Sequence, residues 1–160
     1  MVSSVQIRRA RPGEGRRLAE IHVLARCDMA YLPHVHSFAS VEGWMSKVVV
    51  PSREALVAET DGAVVAYAWL HEGLLRALYV HPSHQRRGIG ARLLAEIGAI
   101  AADGFELWVF EANDGAIRFY ERHGAKFVRK TDGSGNEEKL PDRLMRFEKR
   151  GQVPFCPKGV

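Results

Sequence analysis

Six consecutive residues, Gln85-Arg86-Arg87-Gly88-Ile89-Gly90, carry the most pointed chemistry in the chain. Glycines at this spacing let the backbone turn tightly and let a ligand approach the free N–H groups that open a helix. The positive end of a helix dipole and the charges of Arg86 and Arg87 favour the same ligand, a phosphate or pyrophosphate. No G-x-x-x-x-G-K-[ST] occurs, which removes the Walker loop. A dinucleotide fingerprint is closer, since Gly88 and Gly90 fit its first two positions and Glu111 lies about where a ribose-binding acid belongs. Leu93, however, stands in place of the third glycine. His81 through Arg87 also separate the glycines from the preceding strand, whereas that fingerprint turns directly off its strand.

Such a loop needs a strand before it and a helix after it. Leu74, Leu75, Ala77, Leu78, Tyr79 and Val80, broken only by Arg76, read as a strand buried on both faces, ended by His81-Pro82. After Gly88, Ile89, Leu93, Leu94, Ile97 and Ile100 recur along one helical face, with Arg92, Glu96 and Asp103 towards solvent.

The remaining elements follow from the same periodicities. Val5, Ile7 and Arg9 alternate as a first strand, and Pro12 suits the first turn of a helix whose buried face is Leu18, Ile21, Leu24 and Ala25. A short helix is expected from about Ser40 to Val48. Ala55–Glu59 and Val64–Leu70 flank the hairpin signal Asp61-Gly62, and Glu72-Gly73 turns tightly into the fourth strand. Phe105–Phe110 forms a fifth strand, parallel to the fourth because a helix lies between them. Asn113 caps a further helix carrying Ala116, Ile117 and Tyr120 and ended by Gly124, which puts Asn113 and Tyr120 on one face. Lys126–Lys130 and Leu144–Phe147 are the last strands, joined by a polar segment. Residues 1–150 thus read as one domain, followed by an irregular tail over residues 151–160.

Composition narrows the function classes. With 160 residues, 46% of them hydrophobic, the chain suits a single packed core, and no apolar run is long enough to span a membrane. No signal-like stretch follows Met1, so a cytoplasmic protein is expected. Cys27 and Cys156 have no metal or redox spacing, and the pair His34-Val35-His36 lacks a third ligand, so no metal site is expected. The formal charge of +4 and the pI near 9.3 come with interspersed acids and no recognition motif, which argues against nucleic acid.

The string L-Y-V-H-P-x-x-Q-R-R-G-I-G-A-x-L-L resembles the acetyl-CoA signature Q/R-x-x-G-x-G/A of the GNAT superfamily of N-acetyltransferases. The string N-D-G-A-I-R-F-Y-E-R-H-G is similar to that family's N-x-x-A-x-x-F-Y-x-x-x-G. The resemblance implies an α/β, GNAT-like fold: a mixed, mostly antiparallel sheet of about seven strands with helices on both faces. It also implies acetyl-CoA as co-substrate and transfer of its acetyl group to a primary amine by direct attack. In that family the fourth and fifth strands splay and pantetheine inserts between them, which by resemblance assigns Leu78, Tyr79 and Val80 to the cofactor, with the Val80 N–H on the thioester carbonyl. The loop residues Gln85, Arg86, Arg87, Gly88, Ile89, Gly90 and Ala91 would hold the pyrophosphate, and Asn113 would contact the cofactor. Tyr120 takes the position of the general acid. Glu72 is the candidate base, close to but not aligned with the glutamate of some relatives, a position held here by Leu74. Tyr31, His34, His36 and Trp44 fall in the segment that lines the acceptor site in relatives, and the acceptor would be a small-molecule or peptide amine. Phe127 follows Gly124 later than the Gly-Phe of many members, so the turn there is expected to differ. A homodimer through the strand near Phe147 is compatible with the sequence. Two other readings remain open at this level: a non-catalytic acyl-CoA sensor or regulatory domain, and a small NAD-binding module.

Overall fold

A computed structural model describes residues 4–149, and both Cys156 and the tail expected from Gly151 onward lie outside them. The chain opens with strand β1 (Gln6–Arg9) and helix α1 (Gly15–Cys27). Helix α2 (Phe38–Trp44) runs on into a π turn (Met45–Val49) and a 3₁₀ turn (Val50–Ser52). Strands β2 (Ala55–Thr60), β3 (Ala63–His71) and β4 (Leu74–Val80) follow as a meander. A 3₁₀ turn at Pro82–His84 leads to helix α3 (Ile89–Ile100), then β5 (Phe105–Phe110), helix α4 (Asp114–Arg122), β6 (Lys126–Thr131) and β7 (Asp142–Phe147).

The seven strands form one sheet in the order β1-β2-β3-β4-β5-β7-β6. Only β4 and β5 are parallel neighbours, as the intervening helix requires, so the fold is α/β with a mixed, mostly antiparallel sheet. Both early hairpins turn through two residues with positive φ, Asp61 and Gly62 (51° and 76°) and Glu72 and Gly73 (52° and 74°), which matches the twist of the strands they join. Two apolar cores result. Leu93, Ile97 and Ile117 from α3 and α4 pack on Ala58, Val65, Leu107 and Met145 on one face; Leu18, Ile21, Val41 and Met45 from the α1 side pack on Val57, Tyr67 and Trp69 on the other.

Several sequence expectations are corrected by this packing. Leu24 is 42% exposed and Ala19 fully buried, because residue 24 lies about 120° around the helix from Leu18. Ile100, the last residue of α3, is exposed. Pro12 precedes α1, whose start is set by Glu14: its carboxylate accepts the Arg11 N–H at 2.6 Å and pairs with Arg8 at 2.8 Å. Helix α2 begins earlier than expected because the Ser37 hydroxyl caps it, accepting from the Ser40 N–H. After α4, Ala125 is the buried residue and Phe127 is exposed. Leu78, Tyr79 and Val80 are only half-buried, so β4 is not covered along its whole length.

The approach of α1 to the π turn sets a sharp steric limit. A Cβ added at Gly15 would lie 2.9 Å from the Ser46 Cα, closer than such atoms come, and a backbone atom cannot rotate away. Gly15→Ala should therefore lower unfolding stability by about 1–3 kcal/mol in chemical denaturation. Gly98→Ala, in α3 with open space around it, should be neutral or stabilising by up to about 1 kcal/mol.

Candidate active site

The geometry of the site begins where a ladder stops. β4 and β5 are in register at a single residue pair among the described residues, Leu74 with Glu106, supported by the Glu106 N–H donating to the Gly73 carbonyl at 3.0 Å. Beyond that pair the two strands separate. Each is laddered on its other side, β4 to β3 and β5 to β7, so one edge of each lacks a strand partner there. β4 also carries a bulge: Trp69 pairs with Ala77 and Leu70 with Leu75, which leaves Arg76 as the extra residue. The bulge resets the alternation, so Leu78 and Val80 join the α3–α4 core while Ala77 and Tyr79 join the α1 core.

A cavity of about 870 Å³ occupies the opening between the separated strands. Leu78, Tyr79 and Val80 line one side, and Gln85, Arg86, Gly88, Ile89, Gly90 and Ala91 line the end where α3 starts. Gly88 adopts φ 79°, a conformation that costs glycine little, and hands the chain to the helix at Ile89. The Gln85 side chain donates to the Val80 carbonyl at 3.1 Å, tying the loop to the strand end. Asn113 and Tyr120 line the cavity from α4; Asn113 also caps that helix, its side chain accepting the Ala116 N–H at 3.1 Å. Burial, reinforced by Tyr79, pushes the Tyr120 phenol well above its ordinary value, so it is held protonated. Arg87 is exposed and outside this lining.

A second cavity, about 900 Å³, lies on the α1 side of the sheet. His34, His36 and Trp44 line it, as does the exposed thiol of Cys27 at the end of α1. Tyr31 is outside its lining; the ring packs edge-on to Phe110, and the buried hydroxyl has no hydrogen-bond partner among the described residues. Two side-chain contacts draw the β6–β7 connection over the cavity: an ion pair from Arg26 to Glu138 at 3.0 Å and a hydrogen bond between His36 and Glu137 at 2.9 Å. Among the described residues no group of three or more His, Cys, Asp or Glu could hold a metal ion.

Between the cavities sits a cluster that dispersed sequence positions conceal. The Tyr79 ring lies 5.1 Å from His22 and 6.0 Å from Tyr67, and its hydroxyl accepts from Arg26 at 3.1 Å. The His22 Nδ1 is 2.7 Å from the Tyr67 hydroxyl. Burial pushes His22 down to about 4, with the charge of Arg26 acting in the same direction and that of His36 adding to it. The imidazole is therefore neutral at physiological pH.

A model of the acetyltransferase (GNAT) domain matches residues 51–124, which include the loop and both separated strands. An uncharacterised N-acetyltransferase of Mycobacterium bovis is 33% identical over 114 residues, covering 62% of this chain and 73% of that protein. The chain belongs to the GNAT family of acetyltransferases. A mycothiol acetyltransferase of Amycolatopsis mediterranei is 43% identical over 61 residues, a match that spans 34% of this chain and only 20% of the relative. The fold of yncA from Salmonella typhimurium, solved with its cofactor acetyl-CoA, superposes with a TM-score of 0.70 at 20% identity, covering 91% of this chain and 94% of that one. Acetyl-CoA is the co-substrate of the family.

Glu72 lines neither cavity. It sits on the β3–β4 turn with a side chain 77% exposed, 3.7 Å from His71, at the opposite end of β4 from Val80. Glu111, the acid that suggested a dinucleotide site, is also absent from both linings and forms a bidentate pair with Arg143 at 2.7 and 2.8 Å. Sequence reasoning missed His22, Arg26, Trp69, His71 and Arg76 as cavity residues. Helical spacing does put His22 and Arg26 on one face of α1, but which cavity that face meets is decided by packing.

The neutral, buried His22 makes stability depend on pH. Its folded value of about 4 lies below the unfolded value of 6.5, so the unfolded chain binds the extra proton between them. This contribution is intact above pH 6.5 and is lost as pH falls towards 4. His22→Gln should shrink the loss of unfolding free energy between pH 7 and pH 4, measured by denaturant titration, by up to about 3 kcal/mol relative to the parent.

Proposed function

We propose that the chain transfers the acetyl group of acetyl-CoA to a primary amine by direct attack within a ternary complex. The observation that carries this reading is the opening between β4 and β5, with the anion-binding loop at one end and the protonated Tyr120 phenol on its wall. The unpartnered edges suit the amides of a pantetheine arm, and the backbone amides from Arg86 to Ala91 suit its pyrophosphate. Arg86 adds charge at the same point, and Arg87, exposed beside the loop, adds to the field there.

The chemistry asks for three things from the protein. The Val80 N–H polarises the thioester carbonyl and stabilises the oxyanion that forms when the neutral amine adds. Collapse of that tetrahedral species breaks the carbon–sulfur bond, Tyr120 gives its proton to the departing thiolate, and the extra proton on the attacking nitrogen, passed on directly or through water, restores the phenol. The α1-side cavity, with His34, His36 and Trp44, receives the acceptor, a small-molecule or peptide amine, while Tyr31 packs on Phe110 in the wall of the other cavity. Asn113 holds the start of α4 and thereby the position of Tyr120. On this reading residues 1–150 act as one catalytic domain in the cytoplasm.

Calorimetric titration should give saturable micromolar binding of acetyl-CoA and none of NAD; the reverse pattern, or no binding, would remove the assignment. Tyr120→Phe should lower kcat by about a hundredfold while acetyl-CoA affinity stays within a few-fold, and equal loss of both would make Tyr120 structural. Mass spectrometry after incubation with acetyl-CoA alone should find no acetyl-cysteine, since direct attack needs no covalent carrier.

A further inference from the structure

One guanidinium lining the α1-side cavity is left without a carboxylate among the described residues. On the α1 side, Arg26 is committed to Glu138 and the Tyr79 hydroxyl, while the His36 ring lies against Glu137 and the His71 ring 3.0 Å from Glu54. Arg76 has no such partner among the described residues. It is the extra residue of the β4 bulge, it is exposed, and it lines both cavities. Its one close relation is to an indole, the guanidinium carbon lying 6.0 Å from the Trp69 ring centroid. Trp69 is itself held, donating from Nε1 to the Ser52 hydroxyl at 3.0 Å and packed edge-on against Trp44 at 5.2 Å.

A guanidinium over an indole has its plane constrained while its N–H edges remain available, the arrangement that suits bidentate recognition of a carboxylate. The cavity's own carboxylates, Glu137 and Glu138, are each already paired, so a second ammonium on the acceptor would find no free acid. Arg76 lies three residues along β4 from Tyr79, about 10 Å of strand. With the length of its side chain, Arg76 can reach an anion on the same small molecule whose amine sits near Tyr79. The aromatic wall of Trp44, Trp69 and His71 takes an apolar or planar body between the two ends.

We propose that the acceptor is a primary amine that also bears a carboxylate, an amino acid in the broad sense, and that Arg76 on the β4 bulge holds that carboxylate. The proposal rests on the acetyl-transfer reading and adds the substrate class to it. Arg76 acts in specificity and is not asked to move a proton.

The test compares matched acceptors that differ by the carboxylate: phenylalanine with phenethylamine, tryptophan with tryptamine, and 4-aminobutyrate with propylamine, followed by CoA release. Acetyl-CoA binding is measured first, because its absence would strike the acetyl-transfer reading itself and this proposal with it. With binding established, at least one carboxylated member should exceed its partner in kcat/KM by about tenfold or more, carried mainly by KM. In Arg76→Gln that ratio should collapse towards one, and Arg76→Lys, which keeps the charge and loses the fork, should retain part of it. Circular dichroism checks folding, and Arg76→Lys alone decides the matter if Arg76→Gln is unfolded. No preference in any pair, no turnover of any carboxylated member, or a preference that survives the substitution would overturn the proposal and leave acetyl transfer standing.

Discussion

The structure depends on two parallel strands that are kept from completing their ladder. A parallel pair ordinarily satisfies its backbone groups over its length, yet β4 and β5 meet at Leu74 and Glu106 and then part. Water can satisfy the exposed edges, but so can an amide-bearing chain laid between them. Side chains occupy the angle on one face: Leu78, Val80, Phe119 and Tyr120 belong to the same apolar cluster. A Cβ at Gly90 would lie 3.7 Å from Phe119 and 3.8 Å from Val80, so the start of α3 is packed directly against the strand end and the α4 ring. The glycine loop and the separated strands are therefore one mechanical unit.

The bulge at Arg76 makes that unit two-sided. Without the extra residue, Ala77 and Tyr79 would share the face of Leu75, and the α1 core would lose its contact with the strand end. With it, Tyr79 points into the α1 core, close to His22, Tyr67 and Arg26, while its neighbours Leu78 and Val80 line the opening. Burial raises the Tyr67 and Tyr120 phenols and lowers the His22 imidazole, so each of these groups is held neutral. Arg26 remains charged because Glu138 and the Tyr79 hydroxyl receive its donors. The polarity of the site is thus concentrated at a few chosen atoms.

What the sequence made legible was local. Leu74–Val80, the glycine loop and Ile89–Ile97 could be read because strand, turn and helix each write a short-range pattern. Asn113 and Tyr120 could be paired because seven residues is two helical turns. The resemblance to GNAT acetyltransferases extended this to the cofactor side. The acceptor side was largely hidden: Arg26 and Glu138 meet across 112 positions, and His36 and Glu137 across 101. The bulge that re-aims Tyr79 leaves no mark in composition or spacing. Glu72 looked near the chemistry in sequence, yet it belongs to the turn end of β4, while the glycine loop lies at the other end. Leu24 and Ile100 misled for a simpler reason, since periodicity names a face but not how much of it the sheet covers.

The arrangement also separates two readings that the glycine loop alone could not. In a dinucleotide site the loop's phosphate and the ribose acid belong to one ligand, so the acid must face the loop. Here Glu111 is taken by Arg143 and approached by Lys130 at 3.9 Å, and the hydrogen bonds of the former pair hold its carboxyl below the usual range. It is a strand-end clamp between β5 and β7. What the loop faces instead is a slot that runs between two strands and meets a second cavity at Arg76. A ligand long enough to reach from the loop through the slot presents its far end, not its middle, to that second cavity. Such a geometry suits delivery of a terminal group from one molecule to another, each entering from its own side of the sheet.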